Sequence, residues 1–547
     1  MNTKESFDVM GTMLYLNGTI YTMDADQPRA RAMAIDTLSG RILALGEDDE
    51  VRRVGGHNAE VVNLGGRTVL PGFIDAHIHL LATAYRSHYI DATACTSEEE
   101  VAEQVRQRAA TTPAGQWIQG GRWYKGAWPG QHFPTKASLD AAAPEHPVAL
   151  WSKDGHLLWV NSLALRRADI DASTPNPANG AILRDADGEP TGILEEEEAT
   201  NLVYTIIDKS DPVLTRHLVE QSLQDLLRAG ITTIHDIEGR DALTLFQQLR
   251  AEDRLGVRVQ MILPRHALPE LKALGLRAGF GDDLLRLAGI KIFADGTLGS
   301  QTAAMLEGFE GNPGNRGILA LPEATMMETV STAAELGLSI AIHAIGDRAV
   351  RVALNSIERA QQQLSDAHQQ STMAHLRYRV EHAQLIAPDD LERMRRLGVV
   401  ASVQPFHAVA DRDLAERYWG RRYKRAYAYR TMQAMGIPLA LGSDAPVETF
   451  DPLRILYAAI ERNDSATPER PAWLPEQALP VVQALWGYTL GAAYAGGEEH
   501  NKGSLTVGKL GDAVVLREDL LTIEPAKIRE NGVQATIVGG KLVYGEI

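Results

Sequence analysis

Between residues 68 and 445 a short apolar segment recurs eight times, and amphipathic helical stretches fill most of the intervals. The segments are TVLPGFIDAHIHL (68–80), GITTIHDI (230–237), RVQMIL (258–263), LAGIKIFADG (287–296), LSIAIHAIGD (338–347), YRVEHAQLI (378–386), VVASVQPFHA (399–408) and IPLALGSDA (437–445). Strand-length apolar runs alternating with helices such as VLTRHLVEQSLQDLLRAG and MMETVSTAAELG predict a parallel (β/α)8 barrel of the TIM type, in the α/β class. Setting aside the long stretch 81–230, residues 71–480 leave about 260 residues, close to the ~250 that such a barrel takes.

The two chain ends have a different texture. Residues 11–70 and the segments KGSLTVGKLGDAVVLRED and ATIVGGKLVYG read as short strands separated by glycine turns. Neither end is long enough for a core of its own, so residues 1–70 and 485–547 are expected to combine into one small β-sandwich, with the barrel over 71–484. The 81–230 connection is far too long for a plain βα link and is read as an inserted subdomain over the barrel mouth. It holds Trp117, Trp123, Trp128, Trp151 and Trp159, which serve either as a lid or, more simply, as the subdomain's own core.

Composition narrows the chemistry. A formal charge of −17 over 547 residues disfavours nucleic acid and anionic membranes as partners. The single cysteine, Cys95, rules out an internal disulfide and any cysteine cluster for metal, so ligands must come from His, Asp, Glu or something rarer. The opening MNTKESFDVM lacks a secretion pattern and no apolar run approaches the ~20 residues of a membrane span, so a cytoplasmic enzyme acting on a small molecule is expected. A homodimer is the expected assembly, on analogy with other barrels that carry added β domains.

Chemistry is expected where a parallel barrel gathers the carboxyl ends of its strands. His77 and His79, two apart on an extended segment, point the same way. A lone His-x-His is weak, but Lys291, His343, His382 and Asp444 end the fourth, fifth, sixth and eighth segments. That shared placement makes a metal site the reading of the set.

The motifs PGFIDAHIHL, KIFADGTLGSQTA, IAIHAIGDRA, RVEHAQLI and LGSDAPVE together resemble the metal-dependent amidohydrolase superfamily, and more narrowly its amidohydrolase-3 branch, which contains N-substituted formamide deformylases. The resemblance implies two divalent metals, commonly zinc. His77 and His79 would hold the first, His343 and His382 the second, with Lys291 bridging both as a carbamate and Asp444 binding the first and handling protons. If Lys291 is instead an inward lysine paired with Asp295, or His382 contacts substrate, one ion remains on His77, His79, His343 and Asp444.

In this branch an Asp-Gly-His run lies near the active site, so the resemblance offers His156 as a catalytic group orienting the substrate carbonyl, with Asp154 and Asn161 in substrate binding. The alternative for that run is an exposed turn. Thr297 and Gln301 stand where close relatives often carry Ser and Arg, so substrate preference does not carry over. The expected activity is hydrolysis of a non-peptide C–N bond in a small N-acyl or N-formyl amine by metal-activated hydroxide. The rivals are hydrolytic deamination or cyclic-amide opening on the same scaffold, and a non-catalytic metal-binding or regulatory protein.

Overall fold

Each of the eight apolar segments forms a strand, and all eight lie parallel, in sequence order, in one sheet. They are β1 (Phe73–Ile78), β2 (Ile231–Asp236), β3 (Arg258–Pro264), β4 (Leu285–Phe293), β5 (Ser339–Ala344), β6 (Tyr378–His382), β7 (Val400–Val403) and β8 (Leu439–Leu441). The structure is a computed structural model and describes residues 11–152, 157–177, 180–207, 212–367 and 375–547. Burial on both faces explains why these strands read as near-continuous apolar runs rather than as alternating ones. The sheet curls until its ends nearly meet: Asp444 N–H donates to the His77 carbonyl (2.7 Å) and His79 N–H to the Ala445 carbonyl (2.9 Å). The result is a TIM-like barrel.

Three strands are shorter than the sequence suggests, and each has a local reason. β6 stops at His382, where His382 and Ala383 adopt positive φ values of 71° and 45° and leave the ladder. β7 stops before Gln404 because Pro405 has no N–H to donate and a φ suited to a first helical turn, so Pro405–Ala410 is a helix. β8 stops at Leu441 because the next residues turn across β1 instead of continuing the ladder. Among the covering helices, Asp347–Asp366 buries Val350, Ala353, Leu354, Ile357, Ala360 and Leu364, the three- and four-residue spacing that makes one apolar stripe.

The chain divides into two compact units, Met1–Ala82 with Glu220–Ile547, and Thr83–Val219. In the first, beside the barrel, strand Thr68–Pro71 pairs antiparallel with Ala513–Leu516, placing Val69 opposite Val515. That six-stranded sheet therefore draws on both chain ends, and a four-stranded sheet from residues 12–63 shares its apolar cluster, including Met33, Ile35, Val69, Val515 and Ile537.

In the second unit a six-stranded mixed sheet surrounds Trp123, Trp128 and Trp159, all buried, with ring centroids 5.9–6.4 Å apart. Their indole N–H groups donate to the carbonyls of Leu150, Cys95 and Thr135, the pairing a buried tryptophan needs. These three tryptophans are therefore core. Cys95 is buried there too, and burial raises its thiol pKa, the opposite of an activated nucleophile. No helix among the described residues is long and apolar enough to cross a membrane.

One buried ion pair ties the barrel to the sheet of the chain ends. Arg258, opening β3, donates from Nε and Nη2 to the two oxygens of Asp512 at 2.6 and 2.8 Å. Burial alone would raise the Asp512 carboxyl, yet Arg258 and the Gly539 N–H outweigh it and the net shift is downward. A carboxylate lowered in the folded state binds its proton more readily in the unfolded chain. Its contribution is therefore present above the unfolded pKa of about 3.9 and lost as pH falls through the lower folded value. Urea midpoints measured from about pH 5 down to 3 should fall more steeply for the wild type than for Asp512→Asn, by the equivalent of up to about one proton.

Candidate metal centre

The ends of β1 and β8 meet around a glycine. A side chain at Gly442 would place its Cβ 2.6 Å from His77 N and 2.9 Å from His77 Cβ, so only glycine lets the β8 turn pass this close. The buried Asp75 clasps the crossing, accepting from Ser443 N–H (2.9 Å) and His77 N–H (3.1 Å). Asp444 follows with φ 58°, a strained left-handed conformation for a non-glycine residue that costs on the order of 1–3 kcal/mol. His382 shares that strain, and such residues persist where the surrounding structure holds them in place.

Around this crossing the imidazoles converge. His77 uses Nδ1 on Glu381 Oε2 (2.6 Å), so its Nε2 faces Asp444 Oδ1 at 3.3 Å and Lys291 Nζ at 3.4 Å. His79 uses Nδ1 on the Ile237 carbonyl (2.7 Å), and its Nε2 lies 3.1 Å from the same Asp444 oxygen. His343 bonds the Gly296 carbonyl through Nε2 (3.1 Å), leaving Nδ1 as its spare donor atom, and its ring lies 4.5 Å from that of His382. His382 bonds Gln404 Oε1 through Nδ1 (2.8 Å) and packs 5.1 Å from the His77 ring.

Two donors bound at ~2.1 Å to a tetrahedral ion lie about 3.4 Å apart. The separations of Asp444 Oδ1 from the two Nε2 atoms match that figure, and the second nitrogen of each ring is fixed by an oxygen acceptor, as ligating histidines require. The residues present therefore fit a divalent cation.

Protonation points the same way. Burial, then Lys291, lowers His343 to about 3, and burial with His343 puts His382 well below the usual imidazole range, so both keep lone pairs at neutral pH. Burial works to raise Asp444, but the His77 and His79 imidazoles outweigh it and the carboxyl sits well below its usual range. Burial lowers Lys291 to about 8, which makes a neutral amine accessible near physiological pH.

The structure thus gathers His77, His79, Lys291, His343, His382 and Asp444 in one place. Asp295 takes the N–H groups of Ala304, Ile345 and Gly346 and lies 3.6 Å from His343. Asn161, in the second unit, is buried, caps helix Ser162–Arg167, accepts from Val148 and Ala164 N–H, and donates to the Ala143 and His146 carbonyls. Its amide is spent on the fold of its own unit, with no group left for a substrate. Lys153, Asp154, Gly155 and His156 lie outside the described residues.

Four residues escaped the sequence reading. Glu381 orients His77, and Arg379 braces Glu381 from Nε (2.8 Å) while also reaching His235, the Ala76 carbonyl and Ser402. Two opposite charges two apart in YRVEH were the available signal, because same-face charges inside a barrel strand must pair. Gln404 and His407, in VQPFHA at the end of the seventh segment, occupy the kind of position that drew attention elsewhere.

Comparison with known proteins agrees with this geometry. The Amidohydrolase family pattern matches residues 60–544. The LONG AFTER FAR-RED 3 protein of Arabidopsis thaliana is 32% identical over 98% of this chain and 92% of its own length. An N-substituted formamide deformylase of Arthrobacter pascens is 28% identical over 98% of both chains. Among solved structures, an uncharacterized metal-dependent hydrolase from Pyrococcus furiosus superposes with a TM-score of 0.78 at 29% identity, covering 93% of this chain and 100% of that one. With the family pattern spanning most of the sequence and a histidine–carboxylate centre at the barrel strand ends, this chain belongs to the Amidohydrolase family, in its amidohydrolase-3 branch, and is a metal-dependent amidohydrolase of non-peptide carbon–nitrogen bonds.

Proposed function

We propose that the enzyme hydrolyses the C–N bond of a small N-acyl or N-formyl amine, with two zinc ions at the centre described above. The observation that carries this reading is the convergence of His77 and His79 Nε2 on one oxygen of an ionised, buried Asp444. The similarity to a formamide deformylase over nearly the full length supports the substrate class. His77, His79 and Asp444 would hold one ion; Lys291, His343 and His382 would hold the second.

Imidazole and carboxylate donors without a thiolate suit zinc. When bound, a divalent ion held by these residues would supply an activated water, its pKa lowered toward ~7, and polarisation of a substrate carbonyl. Asp444 accepts the proton of the attacking water and returns it to the leaving nitrogen, so that cleavage of the C–N bond releases a neutral amine and an acid. Lys291 is suited to carbamate formation because its desolvated amine can add CO2, forming an N–C bond and giving up one proton from Nζ.

Incubating metal-loaded enzyme with a panel of N-formyl and N-acyl amines should release the acid and the larger amine. Release of ammonia, or ring opening of a cyclic amide with no second product, would replace this reading by one of its rivals. Lys291→Ala should bind about one ion where the wild type binds two, by elemental analysis, and short carboxylic acids should restore part of its activity. A variant that keeps both ions would remove the bridge.

A further inference from the structure

Another imidazole faces the centre from beyond β7. Helix Pro405–Ala410 starts directly after Gln404 and carries His407 in its first turn, with its ring parallel to that of His382 (centroids 5.9 Å apart, planes 11° apart). His407 Nε2 is buried, has no hydrogen-bond partner among the described residues, and lies 3.7 Å from Asp444 Oδ2. Leaving a buried polar atom unpaired is costly, so a histidine with a purely structural role is expected to have this nitrogen paired. Packing on His382 alone accounts for the ring plane and leaves the direction of Nε2 unexplained.

The Asp444 carboxylate is consequently shared. Oδ1 meets His77 and His79 at 3.3 and 3.1 Å; Oδ2 meets His407 at 3.7 Å and lies 4.0 Å from His382 Nδ1, the nitrogen bonded to Gln404. The donor atoms of His382, His407 and Asp444 lie within 4.8 Å of one another, as do those of His77, His79 and Asp444. The 3.7 Å from His407 Nε2 to Asp444 Oδ2 is within a few tenths of an ångström of the roughly 3.4 Å expected around a tetrahedral ion, and because His382 Nδ1 is bonded to Gln404, Nε2 is the atom His382 has to spare.

We propose that His407 is a metal ligand, joining His382 at the second cation position beside Oδ2 of Asp444. The proposal rests on the strand ends being a metal centre, and it adds a donor from β7 to the residues named for the second ion.

The test needs no substrate. Metal-stripped enzyme is titrated with Zn2+ by calorimetry and with Co2+ by visible absorption, which reports the donors around the ion. The wild type should show two binding steps. His407→Phe keeps the stacking and volume but carries no nitrogen, so it should weaken the second step by at least about tenfold and alter the Co2+ spectrum of that step alone. His407→Leu, measured in parallel, gives the same donor-free comparison if the phenylalanine variant does not fold.

Two unchanged steps with an unchanged spectrum would overturn the proposal. So would a wild type that binds one ion which His407→Phe binds equally well. His77→Ala separates the two ideas: if it loses the first step while His407→Phe changes nothing, the metal centre stands and the ligand role of His407 falls. If His77→Ala binds as the wild type does, the metal-centre reading itself fails, and the proposal with it.

Discussion

Asp444→Asn should leave bound metal near the wild-type amount and reduce kcat by about 10²- to 10⁴-fold, the usual contribution of a positioned general acid–base group. Metal should stay because His77 and His79 keep their Nε2 donors and the orienting bonds to Glu381 and the Ile237 carbonyl. Turnover should fall because an amide cannot take up the proton of the attacking water. The wild-type carboxyl is held well below its ordinary pKa, so it is ionised over the whole neutral range and ready to accept that proton. The measurement pairs elemental analysis with steady-state kinetics on the best substrate from the screen. A variant within about tenfold of wild-type kcat would take Asp444 out of proton transfer.

Glu381→Ala should cost about 3–5 kcal/mol of stability, the penalty for stripping one partner from a buried ion pair. Glu381 and Arg379 are both essentially inaccessible to solvent, and Arg379 Nε donates to Glu381 Oε1 at 2.8 Å. Burial alone would push the Glu381 carboxyl up, but Arg379 and His77 outweigh it and hold it well below its usual range. Without Glu381 the Arg379 guanidinium keeps, among the described residues, His235, Ser402 and the Ala76 carbonyl.

His77 would also lose the acceptor that fixes its ring, so metal affinity should weaken by about 10- to 100-fold. Chemical denaturation of the stripped enzyme reads the first effect, and competition with a chelator reads the second. Replacing Arg379 and Glu381 together by methionine should recover much of the stability and none of the metal affinity. That pattern would separate the charge balance from the orientation of His77.

Much of the barrel was legible because the period of each element is written locally. Strands buried on both faces must be apolar throughout, and the helices between them must carry one apolar stripe, so eight strands could be read in order. Lys291, His343, His382 and Asp444 could be found for a related reason: a polar residue at the end of an apolar run needs a partner or a function. The turn of VQPFHA into a helix was missed, although Pro405 announces it, and His407 was missed with it. Asn161 illustrates the reverse. Its sequence neighbourhood suggested a substrate contact, and only the fold shows both ends of its amide committed to backbone.

By itself the sequence determined the parallel barrel, the enzyme family and the His77 and His79 pair, since strand periodicity and strand-end chemistry depend on neighbours one or two residues away. Only the tertiary structure decided which nitrogen each imidazole has to spare, that Glu381 and Arg379 stand behind His77, and that Asp444 turns one oxygen toward β1 and the other toward His407. Those facts rest on contacts between residues far apart in sequence, such as His79 and Asp444, 365 positions apart, brought together by the near closure of the sheet and by the room that Gly442 leaves.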